Sequence, residues 1–517
     1  MKTDFCAGLF FKGALVIIIP FFASCAADKP TINSLDPSLG DVGSLLTIHG
    51  KNFGNTQDES FVSIGGVHPT RSSYYSWSDD TIVVQVPDFG ESGTLFVNCK
   101  NKKSNTMLFA TTSTIPKITE TSYTGPFITS LKNDNAKIGT TITINGNGFG
   151  DYKKDDKIIF TLAAEQRNYG LGYEEQFISS SEINGNIKSW SGHEITVYVS
   201  DGAESGNIRV ETDGIQSNVF SFNVNTANGK KLLRNKKTYT LEYSVDVKVD
   251  KASLPNAIYL WLPQPVTYSS QVKKELLSCN VEALMEDHKG TALFRLENFK
   301  NGSGKNIAAS YLVDVYEVTT NVEQSFINQQ FATKEDFAKS EFVKKWTLPS
   351  PLVESDSKKI TELNDSIKSD RNPYSKANAI YNYILKNTDT SDSYSSSILF
   401  CALARNSGIA CLPIFGVLTA ENTTVTPHTW AIFWLDGIGW LPVDVSLGGE
   451  YNFGNLNNSH IAFRIGDIKL SQISTDGYTS SAGGNYARMN IWEEAGKTIE
   501  SYSTHWGDVT ITGVYSN

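Results

Sequence analysis

The sequence lacks the features that mark several large classes of protein. Its 517 residues include only 6 cysteines, and their spacing predicts neither a disulfide framework nor a metal site. No phosphate-binding loop and no dinucleotide fingerprint occurs, so we expect no cofactor. The net charge is −10 and no basic run is present, which argues against nucleic acid as a partner.

Long apolar runs are also lacking. The run from Ala14 to Ala23 is too short to span a bilayer, and no later segment could span one. Lys2 and Lys12 precede this run, as in an export signal. It leads into Phe-Ala-Ser-Cys ending at Cys25, which resembles a bacterial lipobox.

The lipobox resemblance implies a signal peptide over residues 1–24 and acylation of Cys25, with residues 25–29 as anchor and linker. Two or three acyl chains hold a protein stably at a membrane. We therefore expect a lipoprotein of the bacterial cell envelope, with the outer membrane as its expected location. The alternative is an ordinary secretory signal with an incidental cysteine.

What is present is a folded, multidomain chain, with 40% hydrophobic and 11% aromatic residues. Two stretches share one pattern: an opening Pro-x-Ile-x-Ser-Leu at Pro30 and Pro126, then a glycine, then Phe-Gly at Phe53 and Phe149. The copies are 96 positions apart, which indicates an internal duplication. Alternating apolar residues between Gly and Asn predict immunoglobulin-like sandwiches.

The repeated motif resembles the IPT/TIG family, whose members serve as rigid spacers or binding modules on surface proteins. We assign the first copy to residues 30–113 and the second to 125–225. An insertion rich in Tyr and charge, about 163–177, is either an ornamented loop or a contact surface.

Further along, residues 228–322 alternate as strands and predict a β-rich domain. Residues 333–390 turn helical, with a break at 370–373 before a helix from Tyr374. We assign an α+β core to 333–470, in which His460 to Phe463 extend the sheet. A β-rich extension follows over 471–517.

Between Asp392 and Asp444 lies a series of motifs with a specific order and spacing along the chain. Asp392-Ser393 precedes an apolar helix ending in Arg-Asn-Ser-Gly-Ile-Ala, and His428-Thr-Trp-Ala and Gly-Trp-Leu-Pro-Val-Asp444 follow. This series resembles the transglutaminase-like superfamily, which has a papain-like fold. The resemblance places Ser393 where the family has its catalytic Cys, His428 on the base and Asp444 on the residue that orients it.

Each of these residues also has an ordinary structural interpretation. Ser393 could be a helix N-cap or loop serine, His428 a core histidine and Asp444 a carboxylate at a strand end. Trp430 and Trp440 are expected in the core rather than as binding platforms.

Two cysteines near the motif are poor substitutes for the missing nucleophile. We expect Cys401 to be buried in the middle of the helix and Cys411 to enter a strand.

Whether Ser393 can act as a nucleophile distinguishes two possible functions. A thiol beside an imidazole ionises before substrate binds, whereas a serine hydroxyl must lose its proton during attack. Our first hypothesis is a catalytically inactive domain that binds an extended peptide or glycan. The alternative is a peptidase or acyl-transfer enzyme that uses Ser393, His428 and Asp444 as a triad. A third possibility is an adhesin in which only the sandwiches bind.

Overall fold

A computed structural model describes residues 29–88, 92–111, 125–153, 155–164, 177–180, 187–288, 290–420, 424–466, 472, 474–475, 478–480 and 492–516. Cys25 and most of the predicted insertion at 163–177 lie outside these residues. Among the described residues, no helix combines the length and the apolar character that crossing a membrane requires.

The first unit is a sandwich of two sheets. Its strands are β1 (Thr31–Asp36), β2 (Leu39–Gly40), β3 (Leu45–Lys51), β4 (Phe61–Ile64), β5 (Tyr74–Trp77), β6 (Thr81–Gln85), β7 (Gly93–Cys99), β8 (Lys102–Lys103) and β9 (Met107–Thr111). One sheet has the order β1-β3-β6-β5 and the other β2-β9-β7-β4. Alternation buries Leu46 and Ile48 between the sheets, as the sequence pattern predicts.

The second unit repeats this plan. Its strands are β10 (Phe127–Lys132), β11 (Asn135–Ala136), β12 (Thr141–Asn147), β13 (Lys157–Leu162), β14 (Phe177–Ser179), β15 (Ile187–Trp190), β16 (Glu194–Tyr198), β17 (Ala203–Thr212), β18 (Ile215–Gln216) and β19 (Phe220–Val224). Thr31 pairs with Lys51 in the first copy and Phe127 with Asn147 in the second, again 96 positions on. A β-bulge follows at the same place in both copies, so the duplication extends to the strand register.

The remaining elements form the third domain, the core and the tail. The strands of the third domain are β20 (Gly229–Ala252), β21 (Ala257–Pro263), β22 (Gln271–Cys279), β23 (Thr291–Glu297) and β24 (Ser303–Val322). The core contains α1 (Gln324–Ile327), α2 (Glu341–Lys344), α3 (Lys358–Ser366), α4 (Pro373–Asn387), α5 (Ser393–Asn406), β25 (Cys411–Ala420), β26 (Thr424–Leu435), β27 (Gly439–Val443) and β28 (His460–Ile465). The tail contains β29 (Ser474–Thr475), β30 (Tyr478–Thr479), β31 (Trp492–Ala495), β32 (Ile499–Trp506) and β33 (Thr510–Ser516).

The tail is β-rich where it is described, but its strands complete the sheets of the third domain. β32 and β33 both pair with β20, and β31 pairs with β21. The predicted boundary between residues 228–322 and 471–517 is therefore not a boundary of packing. Sequence periodicity could not show this, because it carries no information on which strands pair across more than 200 residues.

The helix predicted after the break at 370–373 is confirmed as α4, which begins at Pro373. Asn372 caps it by accepting hydrogen bonds from the N–H groups of Tyr374 (2.9 Å) and Ser375 (3.3 Å). Proline suits the first helical position because its missing N–H would have no partner there.

The second sandwich packs directly on the core. Phe342 of α2 lies between Tyr198 of the sandwich and Trp434 of β26, with ring centroids 4.9 and 5.2 Å away. These side chains belong to one continuous buried cluster that also includes Leu233 of the third domain. The sandwich is thus part of the support of the core rather than a separate spacer.

Candidate active site

Ser393 is the first residue of α5. Asp392 caps this helix, because its carboxylate accepts hydrogen bonds from the N–H groups of Tyr394 and Ser395, both at 3.2 Å. The interpretation of Ser393 as the N-cap is therefore wrong: the neighbouring aspartate satisfies the helix end. Ser393 is left half-buried with its hydroxyl directed at the sheet, where it accepts a hydrogen bond from Thr429 N–H at 3.2 Å.

The core sheet has the order β27-β26-β25-β28, and it brings the other two motif residues together. His428 lies on β26, and Asp444 directly follows β27. His428 Nε2 lies 2.6 Å from Asp444 Oδ2. The three motif residues thus meet at one place, although no hydrogen bond joins Ser393 to His428 in the described part of the chain.

Asp444 is fully buried and held on both oxygens. Its Oδ1 accepts hydrogen bonds from Ser446 N–H (3.0 Å), Ser446 Oγ (2.8 Å) and Leu447 N–H (3.1 Å). Burial by itself disfavours the charged form, but the hydrogen bonds from His428 and His460, together with the positive charge that these rings carry when protonated, outweigh it and hold the pKa of Asp444 well below its ordinary value. Asp444 is therefore ionised and acts only as an acceptor, so His428 donates its Nε2–H and keeps Nδ1 as its basic nitrogen.

The second of these histidines is His460, at the start of β28. Its Nε2 lies 3.0 Å from Asp444 Oδ2, the same oxygen that His428 contacts. The sheet explains the meeting: β25 lies between β26 and β28, and its Gly416 pairs with His428 on one side and with Ala462 on the other. The sequence predicted His460 only as part of a sheet strand, which is confirmed, and nothing local marked its role.

The exposure of the cluster falls steeply from Ser393 inward. Ser393 is half-buried, His428 is 9% exposed, and Asp444 and His460 are both 0% exposed. Trp430 covers the imidazoles, with its ring centroid 6.2 Å from that of His428 and 5.0 Å from that of His460. The arrangement is a chain of polar groups running from the surface into the core.

His428, Asp444 and His460 also form a possible set of metal ligands, with their ligand atoms within 4.8 Å of one another. The two nitrogen–oxygen distances, 2.6 and 3.0 Å, are those of hydrogen bonds. Ligands of a tetrahedral zinc ion with bonds of about 2.0 Å would lie roughly 3.3 Å apart. We therefore describe the cluster as hydrogen-bonded.

The remaining sequence predictions near the site concern buried residues. Cys401 lies in the middle of α5 and Cys411 begins β25, and both are 0% exposed with their sulfur atoms 3.4 Å apart. Trp430 and Trp440 are buried too. The predicted burial of all four side chains is confirmed.

Comparison with known proteins covers two parts of the chain. Residues 30–115 match the model of the IPT/TIG domain, and residues 391–445 match that of the transglutaminase-like superfamily. The protein contains an IPT/TIG domain and a transglutaminase-like domain. The second match includes Ser393, His428 and Asp444, whereas His460 lies beyond it. No curated protein sequence matches significantly.

Several solved structures are similar over about half of the chain. A candidate cysteine protease from Cytophaga hutchinsonii is 15% identical, with 55% of this chain and 92% of that chain covered and a TM-score of 0.36. A surface glycan-binding protein from Prevotella bryantii is 13% identical, with 56% and 99% covered and a TM-score of 0.14. A protein from a xyloglucan utilization locus of Bacteroides uniformis is 13% identical, with 57% and 100% covered and a TM-score of 0.13. All three TM-scores lie below 0.5, so we draw no functional conclusion from these likenesses.

Proposed function

We propose that the transglutaminase-like domain binds an extended peptide or glycan beside Ser393 and His428 without cleaving it. The protein would be held at a bacterial cell envelope by a lipid on Cys25. The proposal rests on the hydrogen bonding of the Ser393 hydroxyl, whose oxygen accepts a hydrogen bond from Thr429 N–H. The hydroxyl is thereby held by the backbone next to the base instead of being hydrogen-bonded to the base.

The chemistry of serine supports the same conclusion. A helix N-terminus and an adjacent imidazole can ionise a thiol before substrate binds, because the pKa of a thiol is close to neutrality. The hydroxyl of serine has no such ionised state, so it needs a base already in hydrogen-bond contact and donors for the oxyanion. The contact between Ser393 and a base is missing among the described residues, while the serine remains able to donate its proton to a ligand.

The surroundings of Ser393 suit an extended polar ligand. Asp392, Ser391 and Ser395 at the start of α5 are exposed, and so are Thr426 and Pro427 on the strand that faces them. Hydroxyl and carboxylate groups along such a rim can pair with the amides of a peptide or the hydroxyls of a glycan.

The test has two parts on the full chain. The first is labelling with a fluorophosphonate probe, with His428→Ala as control, and we expect no label at Ser393. The second is binding to arrays of unstructured peptides and oligosaccharides. Ser393→Trp should weaken any binding at least tenfold, whereas Ser501→Trp, at an exposed strand position in the tail, should not. Binding that Ser393→Trp leaves unchanged would contradict the proposal.

The second candidate is a serine-dependent peptidase or acyl-transfer enzyme. It is favoured by the buried His428–Asp444 contact of 2.6 Å, which fixes the imidazole with Nδ1 as its base. Label on Ser393 that disappears in His428→Ala would establish this function and refute the binding-only proposal.

A further inference from the structure

One face of α5 contacts the core sheet at three successive turns. Ser393, Ser397 and Cys401 follow one another at intervals of four residues, so their side chains lie on the same face of the helix. Ser393 Oγ accepts a hydrogen bond from Thr429 N–H at 3.2 Å, and Ser397 Oγ donates one to the Thr429 carbonyl at 2.9 Å. Cys401 contacts Cys411 at the start of β25, with 3.4 Å between the two sulfur atoms. The two thiols therefore meet where the helix that carries Ser393 packs on the sheet.

The turn between α5 and β25 holds Cys411 in this position. Gly408 has a φ of +83°, the left-handed conformation that ends many helices, and Ile409 N–H donates to the Ala404 carbonyl at 3.0 Å. The buried Arg405 donates from Nε to the Cys411 carbonyl at 2.9 Å. These hydrogen bonds bring Cys411 back alongside the helix, so the meeting of the two sulfur atoms is built into the fold.

The two sulfur atoms are close enough for a small side-chain movement to join them. A disulfide has an S–S length of about 2.05 Å, so closing the bond brings the atoms together by roughly 1.4 Å, a change divided between two side chains. Both residues are thiols in this structure and both are 0% exposed. Of the other cysteines that the structure describes, Cys99 contacts the Phe53 carbonyl through its Sγ, and Cys279 lies in β22. Among the described cysteines, Cys401 and Cys411 are the pair that the fold brings together.

We propose that Cys401 and Cys411 form a disulfide, made by exchange with a small-molecule or protein disulfide while the chain folds. The thiolate of one cysteine attacks a sulfur of the oxidant, forming a mixed disulfide and releasing a first thiol. The thiolate of the other cysteine then attacks the cysteine sulfur of the mixed disulfide and releases a second thiol. Two cysteine thiols are thereby oxidised, the oxidant is reduced to two thiols, and the two protons of the cysteines pass to the released sulfur atoms. Because both cysteines are buried in the folded core, the exchange precedes the packing of α5 on the sheet.

The disulfide ties the helix that carries Ser393 to β25, the neighbour of the strand that carries His428. It closes a loop from residue 401 to residue 411, and such a cross-link stabilises a fold mainly by restricting the unfolded chain. Oxidants of this class act in the bacterial periplasm and at cell surfaces, so the envelope location proposed above would bring the folding chain into contact with them. The inference concerns the reactivity of the pair and does not depend on whether the site binds or cleaves.

The experiment uses the full chain, unfolded in the presence of a reductant and refolded in a mixture of reduced and oxidised glutathione. Remaining thiols are blocked with iodoacetamide, and the protein is digested with trypsin without reduction. Cleavage after Arg405 separates the two cysteines, so a disulfide is detected as two linked peptides in the mass spectrum. We expect the linked peptides in most molecules of the refolded protein. Cys411→Ser should abolish them, whereas Cys279→Ser, the matched control in β22, should not.

A second measurement compares the melting temperature of the linked chain before and after reduction. Reduction should lower the melting temperature of the core by about 5 °C and leave that of Cys411→Ser unchanged.

Two results would overturn the proposal. One is refolded protein in which both thiols are free or carry glutathione; the other is a linked chain that melts no higher than its reduced form. The peptide mapping needs only the parent protein, so it decides the matter even if Cys411→Ser does not fold. Neither measurement uses a ligand or labelling at Ser393, so failure here is distinguishable from failure of the proposed function.

Discussion

Introducing a thiol at position 393 is the sharpest probe of the geometry. In Ser393→Cys the new sulfur would lie at the first residue of α5, next to the strand that carries His428. A helix N-terminus and an imidazole held by a carboxylate both stabilise a thiolate. We therefore expect the introduced thiol to have a pKa near 6 instead of the ordinary value of about 8.5.

The expected size of the effect follows from these values. At pH 6 an ordinary thiol is about 0.3% ionised and a thiol with a pKa of 6 is about half ionised, a difference of roughly 150-fold. A less basic thiolate is also a weaker nucleophile, and a Brønsted coefficient of about 0.4–0.5 reduces the advantage by roughly tenfold. Alkylation by iodoacetamide at pH 6 should thus be about tenfold faster than that of an ordinary thiol, and above about pH 7.5 the order should reverse.

The assay measures alkylation of the introduced thiol by peptide mass mapping from pH 5 to pH 10. Ser391→Cys is the matched control, because Ser391 is exposed and precedes the helix cap. Adding His428→Ala to Ser393→Cys should return the profile to that of the control. If Ser393→Cys alone gives the profile of Ser391→Cys, the imidazole is not poised at position 393 and our description of the site is wrong.

Three further outcomes follow from buried or paired groups. Lys231→Met leaves the buried Asp201 carboxylate without the Lys231 ammonium, which lies 2.5 Å away in the parent. Urea denaturation should therefore show that the free energy of unfolding falls by about 3–5 kcal/mol, and the double variant with Asp201→Asn should regain most of this stability. Because the pKa of Asp444 is lowered on folding, its ionised form stabilises the protein above the unfolded pKa of about 3.9, and this contribution disappears as pH falls further. The stability difference between the parent and Asp444→Asn should therefore shrink below about pH 4, and a difference that stays constant from about pH 5 down to about pH 2 would contradict this. A chain ending at residue 490 loses the partners of β20 and β21, so the third domain should melt at a lower temperature; unchanged melting would show that the tail is dispensable.

The sequence predicted those structural features that depend on a few neighbouring residues. The repeat 96 residues apart has identical strand registers because the same alternation of apolar residues and the same glycines recur in each copy. The start of α4 follows from Asn372 and Pro373, which satisfy or remove the N–H groups at a helix end. The meeting of Ser393, His428 and Asp444 was expected from the resemblance of the motifs to the transglutaminase-like superfamily, and the structure places one at a helix start, one on β26 and one directly after β27.

Other features depend on long-range packing, which has no local signature. The place of the tail in the third domain rests on strand pairs between residues near 250 and residues near 500. The buried ion pair of Lys231 and Asp201, whose ammonium also donates to the Trp440 carbonyl at 2.9 Å, joins the third domain, the second sandwich and the core. A lysine in an alternating strand shows no sign of this in sequence.

By itself, the sequence determined the duplicated sandwiches and the helix that presents Ser393, because alternation, capping and motif spacing act over a few residues. Only the tertiary structure decided that His460 shares the oxygen of Asp444 with His428. That contact requires β28 to pair with β25, whose other neighbour is β26. Strand pairing between distant segments is a property of the packed sheet, so no pattern along the chain could predict it.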